Sequence, residues 1–187
     1  ASTNTYPKVH FPEVFANRTD IVKSVWSLGK VNLYGPWTGH VYSWGNDGYG
    51  LAEPFKKASR GRRSCEEMPG VYAASRITLS SSVRPDGYRY INRRVIEAMA
   101  CGGFVLSDRV AGMDEVLIEG KDLAYWSTLE ELEEKASYYL KHERLRASIA
   151  LHARERSLEL FSNTLLAERI LEAGSELLCS AKGSELS

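Results

Sequence analysis

The chain has 187 residues, enough for one well-buried core and short for two, with 43% hydrophobic and 26% charged residues, the balance of an ordinary globular domain. Basic and acidic residues number 24 each, so the formal net charge is zero and excludes a global pull toward nucleic acid or an anionic membrane. No apolar run approaches the ~20 residues that span a bilayer. The 3 cysteines, Cys65, Cys101 and Cys179, form neither a CxxC pair nor a disulfide framework, which points to a reducing compartment, the cytoplasm.

The start, Ala1-Ser2-Thr3-Asn4-Thr5, lacks the basic-then-apolar layout of a signal peptide and lacks Met, so the chain reads as processed or as cut from something longer. Residues 1–16, with Pro7 and Pro12, form an irregular lead-in. Ile21, Val22, Val25 and Leu28 share a face of a helix over residues 20–28, capped by Asn17 or Thr19 and stopped by Gly29. Val31-Asn32-Leu33-Tyr34 is a short strand ended by Gly35-Pro36. Residues 35–50 are rich in glycine and aromatics, a loop by composition. It is either a surface loop pinned by its aromatics or a lip over a ligand cleft.

Lys56, Lys57, Arg60, Arg62 and Arg63 follow with no acidic residue among them, either a solvated basic face or a patch for phosphate or a partner. Residues 64–74 have helical character that Pro69-Gly70 interrupts. Arg76 to Ser80 is a β-branched strand, and a loop follows through Gly87. A helix from Asn92 to Ala100 ends at Gly102-Gly103 and feeds the apolar strand 104–107. A short helix over 112–118 and a strand over 123–126 come next. Ser127 and Glu130 fit a capping box opening a helix that runs to about Lys141. Its early glutamates suit the positive end of the helix dipole. Helices over about 143–160 and 162–179 close the chain, and residues 180–187 form a frayed tail.

Helices alternate with short apolar strands, and the end is purely helical. That pattern implies an α/β fold: a Rossmann-like parallel sheet with helices on both faces, one lobe over residues 17–179. In such sheets ligands sit outside the carboxyl ends of the strands, where the loops 35–50, 81–91 and 108–112 converge.

The stretch from Asp86 to Asp108 carries the most chemistry. Gly87 lets backbone approach a ligand, and the first turn of the following helix leaves N–H groups free for an anion. Arg84, Arg89, Arg93 and Arg94 add guanidinium forks that suit phosphate. Glu97 lies one turn on, three residues from Arg94, and a carboxylate there could accept hydrogen bonds from both hydroxyls of a ribose. The same spacing also describes a surface Arg94–Glu97 pair worth ~0.5 kcal/mol, and spacing alone favours that surface pair.

Residues 92–108, with Glu97-Ala98-Met99-Ala100-Cys101-Gly102-Gly103 at their centre, resemble the signature of group 1 glycosyltransferases, in the branch that includes spore-maturation-type proteins. Val31 to Trp37 is similar to the family's early strand ending in Tyr-Gly. Tyr125-Trp126-Ser127 with Leu129-Glu130-Glu131-Leu132 is similar to its late strand and acidic helix start. The resemblance spans about residues 17–175. It implies the donor-binding C-terminal lobe of a GT-B enzyme, with Glu97 holding the ribose of a nucleotide sugar. The segment Gly87, Tyr88, Arg89, Tyr90, Asn92, Arg93 and Arg94 would hold the diphosphate, with Arg94 as the leading side-chain contact, and Gly35 would lie close to the donor. It implies no cofactor beyond the donor and no metal; His10, His40, His142 and His152 form no ligand set.

Many members carry a second glutamate eight residues before the position of Glu97, in contact with the donor sugar. Here that position is Arg89, which leaves the sugar open. No catalytic residue stands out, and GT-B enzymes use a second, N-terminal lobe. Three readings follow: a glycosyltransferase lobe that works with an N-terminal lobe or partner chain, a nucleotide-sugar-binding module without turnover, and a protein-interaction domain. A dinucleotide-binding oxidoreductase is weaker, because no GxGxxG opens the first strand–helix turn.

Overall fold

Val105–Asp108 (β2) is buried at every position, as a strand covered on both faces must be. It is the centre of a three-stranded sheet ordered β1-β2-β3, with Thr78–Ser80 as β1 and Ala124–Trp126 as β3. Both pairings are parallel, with Leu79 opposite Leu106 and Ser107 opposite Tyr125. The structure is a computed structural model and describes residues 20–34, 55–82 and 90–184. The loop 35–50, Gly35 and Gly87 to Arg89 lie outside the described residues.

Alternation along the strands divides the core in two. On one face Val105 and Tyr125 meet Tyr72, Val95, Ala98 and Met99. These come from Met68–Ala74 (α2) and Arg93–Ala100 (α3). On the other face Leu106, Ala124 and Trp126 meet Ile21 and Val25 from a helix over residues 20–25 (α1). Leu132 and Ala136 join them from Leu129–Lys141 (α4). Glu143–Phe161 (α5) serves both faces, with Ala153 in the first cluster and Ile149 and Ala150 in the second. Buried Arg146 donates to the Tyr139 and Leu140 carbonyls at the end of α4, satisfying acceptors that helix geometry leaves open.

Asn163–Ser184 (α6) closes the chain. No residue over 163–177 is buried, and Leu166, Ile170, Leu171 and Leu177 are exposed. Among the described residues no helix is long and apolar enough to cross a membrane.

The α/β architecture expected from the sequence is present, with a parallel sheet and helices on both faces. Several local expectations are corrected. Among the described residues the segment 31–34 pairs through a parallel bridge, Leu33 to Ser59, and not within the three-stranded sheet. Pro69 opens α2 instead of interrupting a helix, since the first turn of a helix has no use for its missing N–H. The residues 112–118 form turns, not a helix. The capping box is one residue later: Thr128 Oγ1 accepts from Glu131 N at 3.2 Å, and Ser127 N donates back to Glu131 Oε2 at 2.7 Å. Finally α6 continues through 180–184, where a frayed tail was expected.

Candidate functional site

The sequence Ala98-Met99-Ala100-Cys101-Gly102-Gly103 has a direct structural meaning. Gly102 takes φ +75°, a left-handed turn that reverses the end of α3. Gly102 N then donates to Met99 O and Gly103 N to Ala98 O, both at 2.8 Å. A Cβ on Gly103 would lie 3.0 Å from Tyr72 O and 3.1 Å from Ala98 O, so only glycine lets α2 and α3 pack this closely. The two glycines deliver the chain directly into β2 and fix α3 against the sheet.

At the other end of α3, Asn92 is the N-cap, and its Oδ1 accepts from Arg94 N at 3.1 Å. Its side chain therefore occupies one of the helix donors that an anion would use. Tyr90 is half-buried and packs against the α2–α3 cluster. Arg93 is exposed and its Nε lies 2.6 Å from Glu97 Oε1, so the ion pair is Arg93–Glu97 and not the Arg94–Glu97 pair that the spacing suggested. Arg94 is half-buried and lines a cavity of about 370 Å³.

That cavity lies between the segment 30–34 and the edge of β1, with Leu33 and Tyr34 on one side and Thr78, Ser80 and Ser81 on the other. The Thr78 and Ser80 hydroxyls are buried and have no hydrogen-bond partner. These two unsatisfied hydroxyls and the Arg94 side chain give polar groups to a mixed lining that also includes Lys30, Asn32 and Arg76. Tyr72 lies on the same side, its phenol pushed up to about 12 first by burial and then by the Glu97 charge. Burial and Glu97 also push the Cys101 thiol up, against the Arg154 guanidinium. Glu97 thus pairs with Arg93 and lies near Tyr72 and Cys101.

One residue that the sequence reading passed over sits at the carboxyl end of β2. Asp108 is 7% exposed. Its Oδ2 accepts from Ser82 N at 2.6 Å, and its Oδ1 accepts from the Ser82 and Ser107 hydroxyls at 3.1 and 3.2 Å. Burial raises its carboxyl above the ordinary aspartate range, against these donors. The available signal was a carboxylate closing a strand that is buried at every position.

A family model described as glycosyl transferase-like matches residues 16–172. The chain belongs to the glycosyl transferase-like family. Among curated proteins none matches the sequence. Solved structures share the fold of this glycosyl transferase-like chain at low identity. HepE of Anabaena, solved in complex with UDP, has TM-score 0.64 and 16% identity over 85% of this chain and 45% of its own. Sucrose-phosphate synthase of Thermosynechococcus elongatus has TM-score 0.67 and 18% identity over 87% and 43%. A glycosyltransferase from Rickettsia africae has TM-score 0.64 and 18% identity over 95% and 46%. The chain therefore spans less than half the length of each.

The basic run at 57–63 is partly committed to its own surroundings. Arg60 donates to Asn32 Oδ1 at 2.9 Å and to the Lys57 and Ser59 carbonyls. Arg63 pairs with Glu67 and lies over the Tyr34 ring. Among the described residues no group of three or more His, Cys, Asp or Glu could hold a metal ion.

Proposed function

We propose that this chain is the donor-binding lobe of a GT-B glycosyltransferase, binding a nucleoside diphosphate sugar whose sugar is transferred to an acceptor. The observation that carries this reading is the placement of Arg94 and Glu97 on the first turns of α3, with Arg94 lining the same cavity as Ser80, whose buried hydroxyl has no partner. Glu97 would accept the ribose hydroxyls. Arg94, Arg93 and the donors at the start of α3 would bear the diphosphate, with Gly87, Tyr88 and Arg89 completing that side and Gly35 close to the donor. HepE, of the same fold, has been solved with UDP and with UDP and glucose. Arginines and helix N–H groups can stabilise a departing nucleoside diphosphate without a cation.

In this reading the functional lobe covers 17–179 and acts in the cytoplasm with an N-terminal lobe supplied by another segment or chain. The spore-maturation-type branch rests on the resemblance around Glu97 to Gly103.

UDP, GDP, ADP and dTDP at millimolar concentration test the reading by thermal shift. One of them should raise the melting temperature, since a ligand of the folded state stabilises it. Glu97→Ala should abolish that rise. No shift with any of the four would sink the proposal. Donor hydrolysis or sugar transfer would then separate an enzyme from a binding module without turnover.

A further inference from the structure

We propose that Asp108 is a positioning residue for the donor site, holding the exit of β1 at a fixed distance from Arg94. The proposal rests on the donor-binding reading of the cavity beside Arg94. Ser80, Ser81 and Arg94 line one cavity, and Ser82 follows directly on that wall. Ser82 is itself buried and gives both its N–H and its hydroxyl to the Asp108 carboxylate. Asp108 closes β2, which carries α3 through Gly102-Gly103. One buried carboxylate therefore ties the exit of β1, which continues from the cavity wall, to the end of β2, the strand that α3 leads into. A buried acceptor with three donors is rigid, because each donor is left unsatisfied if it moves away.

A buried aspartate costs more than an apolar residue in the same place unless its hydrogen bonds are needed. A leucine or valine would fill the end of β2 and leave the Ser82 N–H without a partner. The carboxylate does not line the cavity, which separates its role from that of a group touching the ligand.

The test uses the full chain, with UDP, GDP, ADP and dTDP titrated by calorimetry and the Ser82 amide followed by hydrogen exchange. Asp108→Ala should weaken the tightest of these ligands by about tenfold or more and speed exchange at Ser82. Asp108→Asn should stay within about threefold, since its amide oxygen still accepts the Ser82 N–H. If wild type binds none of the four, the donor reading falls and this proposal with it. If wild type binds and Asp108→Ala binds equally well, the positioning role alone is overturned. Equal losses in Asp108→Asn and Asp108→Ala overturn it too, by showing that the charge and not the geometry matters. Should Asp108→Ala fail to fold, Ser82→Ala removes one of the two links from Ser82. A loss of about twofold or more supports the proposal, and wild-type affinity refutes it.

Discussion

Arg93 Nε and Glu97 Oε1 stand 2.6 Å apart on successive turns of α3, so one oxygen of the proposed ribose ligand is already held by a guanidinium. The Arg93 side chain is 85% exposed, which keeps the pair inexpensive to lose. Arg93→Ala should lower stability by no more than about 0.5 kcal/mol in urea denaturation. Glu97→Ala should be equally mild for stability and yet remove the response to nucleoside diphosphates. A large loss of stability in either variant would mean that the pair is a structural clamp.

Gly103 and Gly102 should fail for different reasons. Gly103→Ala forces a Cβ against two backbone carbonyls, which cannot swing aside, and should cost about 1–3 kcal/mol. Gly102→Ala meets nothing closer than Arg154 Cδ at 3.9 Å but must hold φ +75°, a cost of about 1 kcal/mol. Thermal melts should separate them, at about 2–4 °C per kcal/mol for a chain of this size.

These two glycines also mark what was legible in the sequence. The strands and helices that build the sheet announced themselves by short apolar runs and helical spacing, and the motif from Glu97 to Gly103 located α3. The residues 112–118 misled because Val110, Met113 and Leu117 are all buried at helical spacing. Gly112, at φ +78°, makes that spacing a series of turns. At 31–34 the strand residues are right, but Leu33 bonds to Ala58 and Arg60 instead of to the sheet. Asp108 was missed because its role depends on Ser82, 26 positions away, a distance no local pattern reports.

Glu119 should shape the acid limb of the stability curve. Burial pushes its carboxyl up, but hydrogen bonds from Lys135 and Arg109, both at 2.6 Å, outweigh that and hold it below the usual glutamate value of 4.5. Glu131 is lowered in the same way, chiefly by Lys135. A depressed native pKa means that the unfolded chain binds more protons over this window. The stabilisation is therefore present above about pH 4.5 and is lost as pH falls through the native value. Glu119→Gln should flatten this limb, by no more than about 1 kcal/mol because the side chains are partly exposed. Urea denaturation from pH 3 to pH 7 would show it.

Asp122 and His152 touch at 2.9 Å but are not equal partners. The Asp122 side chain is fully buried and also accepts from Ile118 N at 2.7 Å, whereas His152 is half exposed. Asp122→Ala removes the charged acceptor of the part-buried Ile118 N–H and empties a fully buried site, and should cost about 1–3 kcal/mol. His152→Ala should cost well under about 1 kcal/mol. Equal losses in denaturation would show that the pair, and not the backbone contact, holds the turn before β3.

α5 feeds both halves of the core while α6 buries nothing over 163–177, and this difference sets where cooperativity stops. Opening α5 exposes Ala153 to one side of the sheet and Ile149 and Ala150 to the other, so neither half can melt alone while α5 leaves. α6 can detach at Ser162 without opening either. Its amides belong to a subglobal unit that exchanges well before the sheet does, and the energetic boundary of this lobe falls one helix short of its geometric one.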